Sequence, residues 1–185
     1  DVGCGKTIVA QISMYANQLA GYQSALLAPT EILARQHVEN MHKLGLEATL
    51  YVSSLPSKEK KEILEKLENG EILNVVGTHA LFQENVIFNK LGLVIADEQQ
   101  RFGVKQRRSL LEKGKCVDFL MMSATPIPRT YAHFLYGDMD ISSIHTMPLG
   151  RKPVITKYFK TSSMKPVLKD VLDFIHEGRQ CYVVC

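Results

Sequence analysis

Short apolar runs and longer amphipathic stretches alternate along this chain. Residues 24–28, 48–52, 73–76, 91–96 and 119–122 are brief and dominated by aliphatic side chains, the signature of strands buried on both faces. Between them, apolar residues recur with helical spacing. The pattern predicts helices over 7–19, where Ile8, Ile12 and Leu19 are among the apolar positions, over 31–44, and over 57–68, where Ile63, Leu64 and Leu67 face inward from a charged helix. A further helix is expected near 105–113. Strand and helix patterns that alternate in this way imply an α/β fold with a parallel sheet covered by helices on both faces. Composition changes at Met147-Pro148-Leu149-Gly150-Arg151-Lys152-Pro153, where two prolines and a glycine beside basic residues suit a linker. This divides the chain into a domain over 1–147, a linker over 148–153 and the beginning of a second domain over 154–185. That second part is expected to open with a strand at 154–159, continue as a helix at 164–177 and end in an apolar strand from 180.

Composition narrows the function classes only a little. At 185 residues the chain can bury one sizeable core and part of another. Lys and Arg number 22 against 19 Asp and Glu, a net charge of +3, so overall charge makes no case for nucleic acid and any basic footprint has to be local. Cys4, Cys116, Cys181 and Cys185 form no CxxC pair and no zinc spacing, which reads as thiols in a reducing, cytoplasmic setting. No apolar run approaches the length of a membrane span.

The chemistry is concentrated at a few strand ends. The chain opens Asp1-Val2-Gly3-Cys4-Gly5-Lys6-Thr7, a phosphate-binding loop lacking only its leading glycine, so the sequence is expected to be a piece of a longer protein. Residues without side chains, such as Gly3 and Gly5, let successive backbone N–H groups, that of Cys4 included, turn toward phosphate oxygens at the start of a helix, whose dipole adds positive potential. Lys6 would reach the outer phosphates and the Thr7 hydroxyl would ligate Mg²⁺. A second signal agrees with the first. The apolar run Leu93-Val94-Ile95-Ala96 ends in Asp97-Glu98, and strands of open α/β sheets present their carboxyl ends to the ligand. Asp97 is then placed to hold the Mg²⁺ shell and Glu98 to orient or deprotonate water, in a site for a triphosphate.

Two loops of small and hydroxyl residues, Ala28-Pro29-Thr30 and Gly77-Thr78-His79-Ala80, also follow buried strands and fall on the same edge. Such groups are suited to gripping a sugar-phosphate backbone, although singly they serve as ordinary helix caps, and a lone histidine such as His79 is usually structural. A further strand runs into Ser123-Ala124-Thr125-Pro126-Ile127-Pro128-Arg129-Thr130. Taken in order, these motifs resemble those of superfamily 2 helicases. More narrowly, Thr30-Glu31-Ile32-Leu33-Ala34-Arg35-Gln36-His37, Arg101-Phe102-Gly103 and Pro126-Ile127-Pro128-Arg129-Thr130 are similar to the bacterial RecG branch-migration helicases. Transcription-repair coupling translocases share the last two elements, but the first, with His79-Ala80-Leu81-Phe82-Gln83, is more like RecG.

The resemblance implies a motor of two RecA-like domains that binds ATP with Mg²⁺ and remodels branched DNA, such as stalled forks and Holliday junctions, in recombination and repair. By position it implies Gly3, Cys4, Gly5, Lys6 and Thr7 as the nucleotide loop, with Asp97 and Glu98 as the acid pair. Pro29, Thr30, Thr78 and His79 fall where DNA backbone is touched, and Gln100, Ser123, Thr125 and Arg129 where the two sites communicate. Three departures stand out. Gln100 replaces the family's histidine, the junction-recognising wedge domain is not in the chain, and neither is the arginine-bearing motif that completes the site. In isolation the chain is therefore expected to hydrolyse ATP poorly, which leaves a nucleotide-binding module without turnover as the competing reading.

Overall fold

The computed structural model describes residues 3–98, 110–124, 140–144, 150, 154–158 and 164–184. The chain divides into two compact units, Asp1–Pro148 and Leu149–Cys185.

In the first unit the order is α1 (Lys6–Leu19), β1 (Gln23–Leu27), α2 (Glu31–Lys43), β2 (Thr49–Tyr51), α3 (Ser57–Glu68), β3 (Asn74–Gly77), a 3₁₀ turn (His79–Phe82), β4 (Leu91–Asp97) and β5 (Asp118–Met122). All pairings are parallel, in the order β2-β3-β1-β4-β5. The five expected strands are present with ends shifted by at most two residues, as are the helices after the phosphate loop, after β1 and after β2. Within the expected helix near 105–113, only residues 110–113 are described, and 110–111 are helical.

Alternation of side chains in β1 and β4 makes two cores. Ala25, Leu27, Val94 and Ala96 join Ile63 and Leu67 of α3 on one face. Leu26, Ala28, Leu93 and Ile95 join Ala10 and Met14 of α1 with Ala34 and Met41 of α2 on the other. β1 is buried throughout, its polar first residues Gln23 and Ser24 included. β5 lies at the margin of the sheet, and Phe119, Leu120 and Met121 are only half-buried there. α1 uses its small and flexible residues inward, Ala10, Gln11 and Met14, and leaves Ile8, Ile12, Tyr15 and Leu19 exposed.

One polar residue stitches the lower edge of the sheet. Gln23, which opens β1, is 1% exposed, and its amide makes three hydrogen bonds: Nε2 donates to the carbonyls of Leu67 (2.9 Å) and Ile72 (2.7 Å), and Oε1 accepts from the Lys90 backbone N–H (2.9 Å). It thereby ties the end of α3 and the entries to β3 and β4 to the central strand. Beside it, Asn17 of α1 donates to the Gln23 carbonyl (3.0 Å) and to the Ser24 hydroxyl (2.8 Å), fixing the C-terminal end of α1 at the start of β1.

The second unit contains α4 (Lys165–His176), as expected. Among the described residues the strands expected over 154–159 and from 180 do not appear: 154–158 and 180–184 have no regular secondary structure, and Val154, Ile155, Tyr158, Tyr182, Val183 and Val184 are each at least 80% exposed. Apolar alternation records strand propensity, whereas a strand exists only where a neighbour supplies its ladder.

Gln23→Leu preserves bulk but strips partners from two buried carbonyls and one N–H. It should lower unfolding free energy by about 1–3 kcal/mol, the cost of leaving buried polar groups unsatisfied. Denaturant titration of the native and variant chains measures the difference.

Candidate functional site

Parallel strands send all their following loops to one edge, and the register lines them up. Tyr51, Gly77, Leu27, Ala96 and Met121 form one row across the sheet, with Asp97 opposite Met122 one step beyond. Since the C-terminal end of α1 is held at the start of β1, the N-terminal end of this helix, and with it the phosphate loop, lies toward that same edge.

The loop before α1 turns on two glycines. Gly3 (φ 80°) and Gly5 (φ 95°) both adopt left-handed backbone, which side chains disfavour. Gly5 caps α1 with no side-chain hydrogen bond, and no acidic residue stands in the first turn, so nothing in the helix itself neutralises its N-terminal N–H groups. This is the condition under which a helix start attracts anions. The ammonium of Lys6 sits over the loop, 3.7 Å from Cys4 Sγ.

Asp97 is the last residue of β4 and carries the sheet out of its buried run. Its Oδ2 accepts a hydrogen bond from Nε2 of His37 at 3.0 Å. Glu98 follows with φ 52°, the single non-glycine residue in left-handed backbone among those described. Such conformations cost on the order of 1–3 kcal/mol and gather at functional turns. Ser123 leaves β5 beside this turn, because Met122 pairs with Asp97. Gln100, Thr125 and Arg129 lie outside the described residues. Among the described residues no three His, Cys, Asp or Glu side chains cluster as a ready metal cage. Thr7 and Asp97 instead offer few, hard oxygen donors, which suits Mg²⁺, an ion commonly held by one or two protein oxygens together with substrate phosphates.

The two remaining loops are neighbours. The Ala28 N–H donates to the Gly77 carbonyl at 2.8 Å, so residues 28–30 and 77–79 emerge side by side. Gly77 is required by space: a Cβ would collide with the Tyr51 carbonyl oxygen and the Leu81 side chain. Thr30 is exposed and caps α2, its Oγ1 accepting from the Leu33 N–H at 3.3 Å. Pro29 is half-buried, His79 exposed and Thr78 buried. Of the two residues in the second loop, His79 therefore offers its side chain to a ligand. Sequence reasoning treated 77–80 as plain loop, and the 3₁₀ turn beginning at His79 was not expected.

His37 is the residue that sequence reasoning missed. It shares the inward face of α2 with Ala34 and Met41, at positions i, i+3 and i+7, and a histidine on that stripe was the available signal.

This geometry coincides with matches to known proteins. The model of the DEAD/DEAH box helicase family matches residues 1–134. The chain belongs to that family. Among similar proteins are the ATP-dependent DNA helicase RecG of Staphylococcus aureus, 52% identical over 188 residues that take in 100% of this chain and 27% of the relative, and that of Staphylococcus epidermidis, also 52% identical, with 28% of the relative covered. The chain thus spans about a quarter of the length of the curated relatives it matches. A solved structure of RecG bound to a three-way DNA junction superposes with a TM-score of 0.77 at 45% identity, covering 96% of this chain and 24% of that one. The Mycobacterium smegmatis helicase Lhr, at 16% identity and a TM-score of 0.50 over 60% of this chain and 16% of its own, shares the fold alone. The RecA-like parallel sheet expected from the motifs is therefore present, and the family resemblance is to RecG rather than to the transcription-repair coupling translocases. Among the described residues no helix is long and apolar enough to cross a membrane.

The first turn of α2, beside Thr30, carries a small charge cluster. Glu31 Oε1 accepts from the Ser54 hydroxyl at 2.7 Å and from the Arg35 guanidinium at 2.7 and 3.2 Å. The Ser54 bond first, and Arg35 second, hold this carboxyl below its usual range. A lowered folded-state value stabilises the fold above the unfolded pKa of about 4.3, and that contribution is lost as pH falls through the folded value. Glu31→Gln should therefore lower the melting temperature at pH 7, and the gap from the native chain should close at pH values below both pKa values; thermal melts across pH test this.

Proposed function

We propose that this chain is the nucleotide-hydrolysing part of an ATP-dependent DNA helicase of the RecG type, acting on branched DNA in the cytoplasm, with ATP and Mg²⁺ as its cofactors. The observation that carries this reading is the single sheet edge on which the phosphate loop, the Asp97-Glu98 turn and the paired loops 28–30 and 77–79 all emerge. A nucleotide and a nucleic-acid backbone bound there would share the same strands.

In this reading Gly3, Cys4 and Gly5 present backbone N–H groups to the phosphates, while Lys6 supplies the positive charge. Thr7 and Asp97 are the protein oxygens that would hold Mg²⁺, which, when bound, screens the phosphate charge during attack by water. Glu98 orients that water and takes its proton, and its left-handed backbone sets the carboxylate's departure from the strand. Pro29, Thr30 and His79 touch DNA backbone, with Thr78 contributing through its backbone since its side chain is buried. Ser123, next to the Asp97 turn, relays between the two sites together with Gln100, Thr125 and Arg129. The segment after Pro148 is the beginning of a second RecA-like domain. Similarity over the whole chain to RecG and to its junction-bound structure supports the substrate class.

In the full-length protein, Lys6→Ala should abolish nucleotide binding and ATP hydrolysis while leaving the melting temperature near native. Turnover at the native rate in that variant overturns the assignment. Glu98→Gln should separate the two steps: nucleotide binding persists, and the rate of phosphate release in the presence of DNA falls by about 10²-fold or more, the usual worth of a positioned general base. A Glu98→Gln protein with native turnover would remove Glu98 from the chemistry, whereas a native protein that binds nucleotide and releases no phosphate with DNA present would favour the competing reading of a module without turnover.

A further inference from the structure

The hydrogen bond between His37 and Asp97 joins residues 60 positions apart and crosses from a helix to the tip of a strand. The side chains are 8% and 18% exposed, so the bond is largely withdrawn from water. A structural role alone would be met more simply by an aliphatic residue, because His37 lies between Ala34 and Met41 on the face that α2 packs against the sheet. A buried polar side chain has to be paid for by a partner. Here the partner is the carboxylate that ends β4.

We propose that His37 is a positioning residue for Asp97. The role rests on the nucleotide reading above, in which Asp97 holds the metal. Engaging Oδ2 fixes the rotation of the carboxylate about its Cβ–Cγ bond, which otherwise turns freely at a strand end. Partners of this kind, hydrogen-bonded to a metal-binding side chain, orient it and tune its affinity.

The test uses the full-length protein and follows fluorescence of N-methylanthraniloyl-ADP as MgCl₂ is titrated, with melting temperatures measured in parallel. His37→Gln keeps an N–H donor at a reach close to that of Nε2, whereas His37→Asn is polar but too short. The Asn variant should need about ten- to a hundred-fold more Mg²⁺ for half-saturation, the usual effect of losing such a partner, while the Gln variant stays near native. If the Asn variant does not fold, His37→Phe, which keeps the ring and lacks the donor, takes its place with the same expectation. An unchanged Mg²⁺ midpoint in the Asn variant, or in the Phe variant that replaces it, overturns the proposal, as does an equal shift in that variant and the Gln variant. Lys6→Ala in the same assay separates the two levels. If Lys6→Ala binds nucleotide as the native protein does, the nucleotide reading fails; if it loses nucleotide while the Asn or Phe variant keeps the native midpoint, only the role of His37 fails.

Discussion

Because β1 accepts hydrogen-bonded neighbours on both of its edges, the placement of every functional loop depends on its register. Leu27 pairs with Gly77 on one side and with Ala96 on the other, so the loops after β1, β3 and β4 leave the sheet at one level. A slip of one residue would invert the faces of the strand, sending Ala25 and Leu27 to the side now lined by Leu26 and Ala28. The two separate cores, each needing its own half of β1, make that slip costly. At the opposite end Gln23 blocks it by polar means, since its three hydrogen bonds can be satisfied together in only one alignment.

Fixing the strands does not by itself orient side chains at their ends, and the two acids solve this differently. Asp97 is still within β4 and is steered from outside by His37. Glu98 is the first residue beyond β4, and its left-handed φ, which no hydrogen-bonded strand permits, turns the chain away from the ladder. Adjacent carboxylates in an extended chain would point to opposite faces of the sheet. The turn at Glu98 breaks that alternation, which is the minimum needed for neighbouring acids to serve a common site.

Much of this was legible in the residues because it is local. Strands buried on both faces announce themselves as aliphatic runs, glycines at left-handed positions announce the phosphate loop, and parallel topology then forces the loops to one edge. What stayed hidden is of two kinds. Gln23 and His37 carry polar side chains whose value lies in partners 44 to 67 and 60 residues away, which no local pattern encodes. The segments at 154–158 and 180–184 show the converse, since they are rich in strand-favouring residues and carry no ladder among the described residues. Strand character in the chain is a property of residues, while a strand is a property of pairs.

The same distinction explains why α1 looks inverted. Its larger apolar residues are on the outside, whereas Ala10 and Met14 face the sheet. Ala10 leaves room for the helix backbone near the sheet, while Met14, one of the largest fully buried side chains, fills the space between α1, the sheet and α2. Burial along this helix thus follows which positions face the sheet and α2, and not which residues are the most apolar.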